Sequence, residues 1–337
     1  MKTFVRFLVF ALVALLLVAA AVITASIGWR PFIGAKSRPL TNVKFESTPQ
    51  RLERGKYLFT GVAGCAGCHS PHDVSQHGAP VIESKLGSGE VMPVDGLPGR
   101  VVAPNLTPDP ETGTGRWSDD QIARAVREGI GHDGRTLFPM MPYIHFRRMS
   151  DEDLASIVVY MRSMPPVRNE LPKTEIVFPV KYLIRAVPEP VTAPVAGPDT
   201  SNPVKRGEYL VTLGDCGFCH TPQEHGQTVE GMEFAGGQVF HGMGFSGASA
   251  NITPDPSGIS YYDEDLFLQV MKTGFVRARP LGSLMPFVEY RNMSDQDLKD
   301  LFAYLRTVKP VKHRVDNSEP PTYCKLCRQT HGGGDKN

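Results

Sequence analysis

Three blocks of sequence occur twice along the chain, in the same order each time, and this duplication constrains the fold more than any other feature. The paired blocks are Arg54 to His69 with Arg206 to His220, Asn105 to Asp109 with Asn251 to Asp255, and Met141 to Leu154 with Met285 to Leu298. The histidine of the first block precedes the methionine that opens the third block by 72 residues in one copy and by 65 in the other. This shared order indicates one domain that was duplicated and then acquired loop insertions.

The duplication divides the chain of 337 residues into two domains, each long enough to bury its own core. Proline-rich or basic segments lie between and around them. The predicted boundaries are residues 1–30 for an N-terminal membrane anchor or signal segment, 31–49 for a linker, 50–168 for domain 1, 169–200 for a Pro-rich linker, 201–312 for domain 2, and 313–337 for a C-terminal tail.

Helix start and stop signals recur in the two copies, and they predict an all-α fold. Ser118 followed by Gln121 has the form of a capping box, and Gly129 is placed to end that helix. Ser150 and Ser294 each open a further helix, in which apolar residues recur three and four positions apart before a proline stops it. The sequence shows no convincing series of strands.

The first block ends in Cys-x-x-Cys-His in both copies, which is the attachment signature of c-type haem. Two thiols on one helical turn can each add to a vinyl group of haem, and the following histidine then ligates the iron. The predicted residues are Cys65, Cys68 and His69 in domain 1 and Cys216, Cys219 and His220 in domain 2. About 0.003 such motifs are expected by chance from six cysteines and ten histidines. The two occurrences therefore predict two covalently bound haem c groups.

Other interpretations of a Cys-x-x-Cys pair explain less of the sequence. A disulfide would leave the adjacent histidine and the repeated Met-Pro block without a role. Zinc needs four ligands, and neither copy offers a second cysteine pair. A thioredoxin-like redox motif requires a strand and helix context that the sequence pattern does not predict.

Each haem iron needs a sixth ligand or an open site, and the repeated Met-Pro block supplies a candidate. A methionine thioether suits ferrous iron and raises the reduction potential, which favours one-electron transfer. Met141 aligns with Met285, whereas the neighbouring Met140 aligns with a leucine, so Met141 and Met285 are the predicted axial ligands. Met149 and Met293 also recur, but they directly precede serine caps and are typical of hydrophobic staples. Weaker candidates for the second iron lie in a Gly-rich loop: Met232, His241 and Met243.

With these residues the chain resembles tandem class I cytochromes c, in particular the membrane-attached cytochrome c subunits that accompany periplasmic dehydrogenases of the alcohol dehydrogenase type. The resemblance covers residues 50–168 and 201–312. It implies two tandem all-helical class I cytochrome c domains after an N-terminal transmembrane helix, with the loops at Asn105 and Asn251 near the haem edges. Typical members of that subunit family carry three haem domains, whereas this chain has two.

An uncharged run of 21 residues from Phe7 to Ile27 is long enough to cross a bilayer as a helix. A cleaved signal peptide has a shorter apolar core, of about 7 to 15 residues, although the alanines at 19–21 offer a cleavage site. An uncleaved anchor is favoured because the run continues past that site and Trp29 follows it, where an interfacial aromatic residue belongs. We therefore expect a single-pass membrane protein, and the resemblance to subunits of periplasmic dehydrogenases implies the inner membrane with the haem domains on the periplasmic side.

A third cysteine pair, Cys324 and Cys327, is followed by Arg328 where haem attachment requires histidine. A local disulfide is the favoured interpretation in an oxidising compartment. The alternative is a contact to a metal or a partner that uses Cys324, Cys327 and His331.

The charge balance argues against nucleic acid as a partner. Lys and Arg total 36 against 35 Asp and Glu, which leaves a formal net charge of +1. Residues 1–49 carry six basic residues and one acidic residue, whereas both domains are slightly acidic. The total thus averages a basic membrane-proximal segment with two mildly acidic domains.

Two filled axial positions on each iron predict an electron carrier, not an enzyme in its own right. Its partners would be a donor, either a dehydrogenase or a quinol-oxidising complex, and an acceptor such as a terminal oxidase. The alternative is a dihaem enzyme of the peroxidase or thiosulfate dehydrogenase type, which needs a displaceable ligand and an acid–base residue beside it. His145 is a candidate base, but its counterpart is Glu289, and both positions are predicted to be solvated. Gas sensing would need an output domain beyond the two copies.

Overall fold

The computed structural model describes residues 2–224 and 226–333, so Met1 of the predicted anchor and residues 334–337 of the predicted tail lie outside it. Helix α1 (Lys2–Ser26) has no buried residue, and its most apolar window has a mean hydropathy of 3.0. By length and composition it can cross a membrane, and a signal sequence near an N-terminus has the same character. A one-turn helix, α2 (Arg30–Ile33), follows it.

The first copy is built on two helices that cross at close range. Its helices are α3 (Pro49–Tyr57), α4 (Cys65–Cys68), α5 (Asp119–Glu128), α6 (Tyr143–Phe146) and α7 (Asp151–Ser163), with a π-helical turn at Leu58–Val62 and a 3₁₀ turn at Glu83–Lys85. Gly55 permits the crossing of α3 and α7, because a Cβ there would lie 2.0 Å from the backbone oxygen of Ser156. The glycine of the first repeated block is therefore needed for helix packing.

The second copy repeats this arrangement. Its helices are α9 (Pro203–Leu213), α10 (Cys216–His220), α11 (Glu264–Thr273), α12 (Phe287–Tyr290) and α13 (Asp295–Leu305), and the segment before them forms α8 (Val180–Leu183) and a 3₁₀ turn at Ile184–Ala186. Gly207 takes the place of Gly55, and a Cβ there would lie 1.9 Å from the backbone oxygen of Asp300. The first and last helices of each copy thus cross in the same way.

Capping residues set the helix boundaries where the sequence predicts them. Ser118 starts α5 with a capping box, and Gly129 ends it in the left-handed conformation, with a φ of 72°. Helices α7 and α13 both begin after a serine whose side chain accepts a backbone N–H three residues later, and both serines follow a buried methionine. These residues are Met149 and Ser150 in the first copy and Met293 and Ser294 in the second.

The Gly- and Pro-rich loops add short β-ladders that the sequence pattern did not predict. Within the described residues, twelve strands of two to four residues form six antiparallel two-stranded ladders. The pairs are β1 (Glu90–Val91) with β3 (Val102–Ala103), β2 (Gly99–Arg100) with β4 (Glu175–Ile176), β5 (Gln223–Glu224) with β6 (Gln227–Thr228), β7 (Val239–Gly242) with β8 (Phe245–Ala248), β9 (Phe275–Val276) with β10 (Arg279–Pro280), and β11 (Thr322–Tyr323) with β12 (Thr330–His331). Strands this short cannot show a pattern of alternating residues.

The two copies pack against each other through reciprocal contacts. The Tyr57 hydroxyl of the first copy donates to Asp297 of the second at 2.6 Å, and the Tyr209 hydroxyl of the second donates to Asp153 of the first at 2.7 Å. Each tyrosine oxygen also accepts the backbone N–H of the serine cap in the opposite copy. A continuous cluster of buried apolar side chains includes residues of both copies, so they share a core.

The segments that flank the first copy pack onto it. Arg38 forms ion pairs with Asp120 and Glu128 of α5, at 2.5 Å and 2.7 Å, and both carboxylates are buried. Further along, the β4 strand pairs with β2, and the Asn169 side chain donates to two backbone oxygens of the first copy. Residues before and after the first copy therefore pack against parts of its surface.

Candidate functional site

The Cys-x-x-Cys-His motif lies on a one-turn helix in each copy. Helix α4 holds Cys65 and Cys68 with His69 at its C-terminal cap, and α10 runs from Cys216 to His220. The residue before each helix is left-handed, with a φ of 56° in the first copy and 52° in the second. Both cysteines of each motif therefore lie on one turn, as haem attachment requires.

None of the four cysteines of these motifs forms a disulfide. The surrounding protein raises the pKa of each to about 12, because burial disfavours the charged thiolate, even though Cys68 has an exposed surface. The four cysteines occupy matched positions in the two copies: Cys65 and Cys68, and Cys216 and Cys219.

The same hydrogen bond holds the histidine of each motif. Nδ1 of His69 donates to the backbone oxygen of Pro104 at 2.8 Å, and Nδ1 of His220 donates to that of Ala250 at 2.7 Å. The bond assigns the proton to Nδ1 and leaves the Nε2 lone pair for a metal. Burial lowers the pKa of His69 to about 4 and also lowers the pKa of His220, so both imidazoles are neutral at pH 7.

Asn105 and Asn251 hold the carbonyl groups that orient these histidines. Each asparagine directly follows the accepting residue, and its side-chain oxygen accepts from the N–H and hydroxyl of the threonine two residues later. Each side-chain amide donates to a backbone oxygen beyond the last helix of its copy, that of Val167 or Val311. Both asparagines are buried. The repeated Asn-x-Thr-Pro block therefore positions the histidine of each motif through the backbone.

Met141 and Met285 lie in turns of the same shape. The backbone N–H of each donates to the oxygen three residues earlier, at 3.1 Å and 3.0 Å, and a one-turn helix begins two residues later. Both side chains are half-buried against the shared core, and so are Cys65 and Cys216. Each copy thus holds a thioether against the same core as its first attachment cysteine.

The weaker candidates for the second iron lie in surroundings that differ from those of Met285. Met232 is buried in a small separate cluster beside the C-terminal tail. His241 forms a hydrogen bond with the Ser246 hydroxyl, and Met243 lies in the β7–β8 turn. The turn that holds Met285 matches that of Met141 in the other copy, and these loop residues have no such counterpart.

Matched apolar side chains pack on the core but are only half-buried. They are Leu106 and Trp117 in the first copy and the aligned Ile252 and Tyr262 in the second. Each copy therefore combines an apolar surface with two thiols, a neutral imidazole and a thioether. This combination of groups fits covalently attached haem c. When bound, such a haem supplies an iron that accepts and releases one electron.

His145 and Glu289 lie four positions after Met141 and Met285. Each of them contacts the Cys-x-x-Cys turn of the opposite copy. His145 forms an ion pair with Asp215, the residue before Cys216, and this bond raises the pKa of His145. Glu289 packs against Gly67 in α4, since a Cβ on Gly67 would lie 3.0 Å from a Glu289 carboxylate oxygen. Both attachment turns therefore lie at the interface between the copies.

The prediction that both of these positions are solvated was wrong for Glu289, which is 5% exposed. Its burial raises the pKa of the carboxyl to about 7. His145 keeps 43% of its side chain exposed, but its Nδ1 is engaged by a carboxylate. Sequence reasoning missed these contacts because they join the two copies, and the exchange of histidine for glutamate at aligned positions was the one available signal.

Comparisons with known proteins find similarity to cytochromes c. Residues 52–165 match the family model described as cytochrome c. The chain is 31% identical to a subunit of the nicotinate dehydrogenase of Pseudomonas putida, over 86% of this chain and 24% of that protein. It is 31% identical to the cytochrome c subunit of the quinone alcohol dehydrogenase of Gluconobacter oxydans, over 77% and 55%. A diheme cytochrome c-type protein of Cereibacter sphaeroides is 29% identical, over 80% and 89%.

The chain spans only 24% and 55% of the length of the first two relatives, so it matches a part of each. The alignments of 311 and 277 residues with those relatives are longer than either copy alone, so they extend into both copies. The chain therefore contains a segment that matches the cytochrome c family model, and most of its length is similar to proteins named as a dehydrogenase cytochrome c subunit and a diheme cytochrome c.

Proposed function

We propose that this protein relays single electrons through two haem c groups, one in each copy, from a dehydrogenase or quinol-oxidising donor to an acceptor such as a terminal oxidase. One observation carries the proposal: each Cys-x-x-Cys turn touches the residue four positions after the predicted axial methionine of the opposite copy. Both attachment motifs therefore border one packed interface. An electron accepted by one copy can pass to the other through protein, without crossing solvent.

In this proposal residues 50–168 and 201–312 are two class I cytochrome c domains, all-α apart from short ladders in their loops. The matched helix crossings at Gly55 and Gly207 support this division. So do the matched bonds from each motif histidine to a backbone oxygen. Residues 31–49 and 169–200 connect the domains to the first helix and to each other, and residues 313–337 form the tail.

The chain's own residues would hold each haem in a fixed setting. The paired cysteines attach it, the histidine and the methionine ligate the iron, and the asparagine keeps the histidine ring in place through the backbone. Filling both axial positions with protein side chains keeps substrates away from the metal, which suits a carrier. The proposed sets are Cys65, Cys68, His69 and Met141, and Cys216, Cys219, His220 and Met285.

Helix α1 is proposed to anchor the protein as a single pass in the inner membrane, with both domains on the periplasmic side. The exposed leucine, valine and phenylalanine side chains along the helix support this role, because lipid would cover them. Trp29 and Phe32, which are 44% and 57% exposed, follow it at the position of interfacial aromatic residues. N-terminal sequencing of the mature protein tests the anchor, since cleavage near the alanines at 19–21 would make α1 a signal peptide.

A dehydrogenase is the preferred donor, because two of the relatives carry the names of dehydrogenase subunits. The mildly acidic surfaces of the two domains suit transient docking to an oppositely charged patch on a partner. Purified protein that is reduced by a quinone-dependent dehydrogenase from the same membranes would support this choice.

Carbon monoxide binding tests the carrier function. We expect the reduced wild-type protein to bind carbon monoxide slowly or not at all, because both axial positions are filled. Met141→Ala and Met285→Ala should each open one haem to the gas and lower the reduction potential of that haem alone. Met140→Ala is the matched control and should change neither property. Rapid, stoichiometric binding by the wild type would contradict the proposal and favour the dihaem enzyme.

A further inference from the structure

We propose that the C-terminal tail holds a structural zinc ion between His313, Cys324, Cys327 and His331. One ligand atom from each of these four residues lies within 4.8 Å of those of the other three. Tetrahedral zinc with its usual bond lengths places its ligand atoms about 3.3 to 3.8 Å apart. The contact between Cys324 Sγ and His313 Nε2, at 3.4 Å, already falls in that range. Two thiols with two imidazoles are a common donor set for structural zinc.

The two cysteines lie in a tight hairpin loop between β11 and β12. The backbone N–H of Cys324 donates to the oxygen of Gln329 at 2.8 Å, and the N–H of Arg328 donates to the oxygen of Cys324 at 2.9 Å. Arg328 is left-handed with a φ of 57°, a conformation that closes the turn directly after Cys327. The hairpin therefore presents both sulfur atoms from one short loop, with His331 on its second strand.

His313 and His331 each have a ring nitrogen that is available to bind a metal. His313 is 1% exposed, and its Nδ1 donates to the backbone oxygen of Ala235 at 2.8 Å, which leaves Nε2 beside Cys324. A hydrogen bond from the far ring nitrogen to a carbonyl is the usual support of a metal-bound histidine. Nε2 of His331 is buried and has no hydrogen-bond partner among the described residues. A buried, unpaired nitrogen costs free energy, and a bond to zinc would remove that cost.

The four proposed zinc ligands pack against the loop at Gly236 and Gly237, which follows the second Cys-x-x-Cys-His motif. Cys327 is completely buried, and a Cβ on Gly237 would lie 3.1 Å from its sulfur and 2.6 Å from His313 Cε1. The neighbouring Gly236 donates its N–H to the oxygen of His220 at 2.7 Å. Zinc would therefore fasten the tail against the loop that backs the second copy's ligand histidine, where a small apolar cluster alone offers little stabilisation.

The first copy shows what holds this loop when no cysteine pair is present. Asn169 occupies the position of His313: their backbone N–H groups donate to matched hydroxyls, of Thr112 at 3.0 Å and Ser257 at 2.9 Å. The Asn169 side chain donates to the oxygens of Ser88 and Gly89, as His313 donates to Ala235. His313→Asn is thus a substitution that keeps a donor to the loop and removes one zinc ligand.

The test measures zinc and haem in the same samples of the full-length holoprotein. Wild-type protein and each variant are incubated with zinc sulfate, desalted, and measured for zinc by plasma mass spectrometry. We expect about one zinc per chain in the wild type, which is one per tail site. Loss of at least nine-tenths of it is expected in His313→Asn and in the double variant Cys324→Ser, Cys327→Ser, with the haem content unchanged.

A matched control separates the site from surface histidines. His241→Asn alters an exposed histidine of the same copy and should leave the zinc content at the wild-type value. The proposal is overturned if the wild type retains no zinc, with a Cys324–Cys327 disulfide in its peptide mass spectrum as the competing explanation. It is equally overturned if His313→Asn and the double serine variant keep the zinc of the wild type.

Discussion

The two copies hold their motif histidines alike, but they differ in how the surrounding loops are secured. In both, the ring bonds to the carbonyl that precedes a buried asparagine, and a glycine N–H caps the histidine's own oxygen at 2.7 Å. Behind that glycine, the first copy uses Asn169 from the segment between the copies, whereas the second uses His313 from the tail. The hydrogen bonds to the motif histidines are therefore the same in both copies, whereas the residues that support the loop behind them differ.

The two ends of the interface between the copies also differ, because they carry different charged groups. His145 meets Asp215 as an ion pair beside one attachment turn, whereas Glu289 lies buried against Gly67 beside the other. The tyrosine contacts around these residues are reciprocal, so the geometry is nearly symmetric while the electrostatics are not. A negative charge stabilises an oxidised haem over a reduced one. This asymmetry therefore gives the two Cys-x-x-Cys-His motifs different electrostatic environments.

The largest effect is expected where the copies are most alike, at the helix crossings. Gly55→Ala and Gly207→Ala should each lower the free energy of unfolding by about 3 to 5 kcal/mol, because the new Cβ collides with a backbone oxygen that cannot move aside. Denaturant unfolding followed at the haem absorbance measures the loss. Gly197→Ala, which meets no atom within 4 Å, is the control. A much smaller loss of stability in one of the two variants would show that the two helix crossings are not equivalent.

The asparagines that support the histidines should come next. Asn105→Ala and Asn251→Ala should each cost about 2 to 3 kcal/mol, because a buried backbone N–H and a threonine hydroxyl lose their acceptor. The visible spectrum of the affected haem should also change, since the histidine ring loses its fixed orientation. Stability lost without any spectral change would show that these residues support the loop and not the ligand.

The tyrosines test the reciprocity of the interface. Tyr57→Phe and Tyr209→Phe each remove one hydroxyl that donates to an aspartate and accepts from a serine cap across the interface. We expect losses of about 1 to 1.5 kcal/mol in the free energy of unfolding, equal in the two variants within error. Tyr261→Phe, at an exposed position, should have no effect. Unequal losses would mean that the two halves of the interface are not equivalent.

The smallest effect comes from the buried carboxyl of Glu289, whose aligned residue in the first copy is a histidine. Glu289 has a folded-state pKa of about 7 against 4.5 for an exposed glutamate, so the folded protein holds a proton that the unfolded chain has released. Stability from this group is therefore present at low pH and is lost as pH rises, by about 1 kcal/mol between pH 6 and pH 7. Glu289→Gln should flatten this dependence in pH-dependent unfolding, whereas Glu53→Gln, at an exposed position, should not. The same slope in Glu289→Gln would rule out its origin in this carboxyl.

The parts of the fold that sequence could predict are those with local signals. Ser118, Ser150 and Ser294 mark helix starts because a cap needs only residues within one turn. The two Cys-x-x-Cys-His motifs are likewise complete within five residues. The aligned Met-Pro turns indicated candidate ligands because the duplication supplies a second copy for comparison.

The contacts that sequence could not predict join distant parts of the chain. Glu289 was expected in solvent because its own helix gives no reason for burial, and its packing against Gly67 in the α4 turn of the other copy is a contact between distant parts of the chain. His313 was not recognised as a partner of Cys324 and Cys327 because it lies eleven residues earlier, outside the hairpin. The close approach at Gly67 and the hydrogen bonds from Asn169 likewise join residues that are far apart in the sequence.

The mass of the intact denatured protein tests the central claim most directly, because thioether-bound haem survives denaturation. The claim is that each copy carries its own haem c. The wild type should exceed the mass of its mature polypeptide by two haem groups, and the double variants Cys65→Ser, Cys68→Ser and Cys216→Ser, Cys219→Ser should each exceed theirs by one. A wild-type mass with a single haem, or with none, would contradict the account.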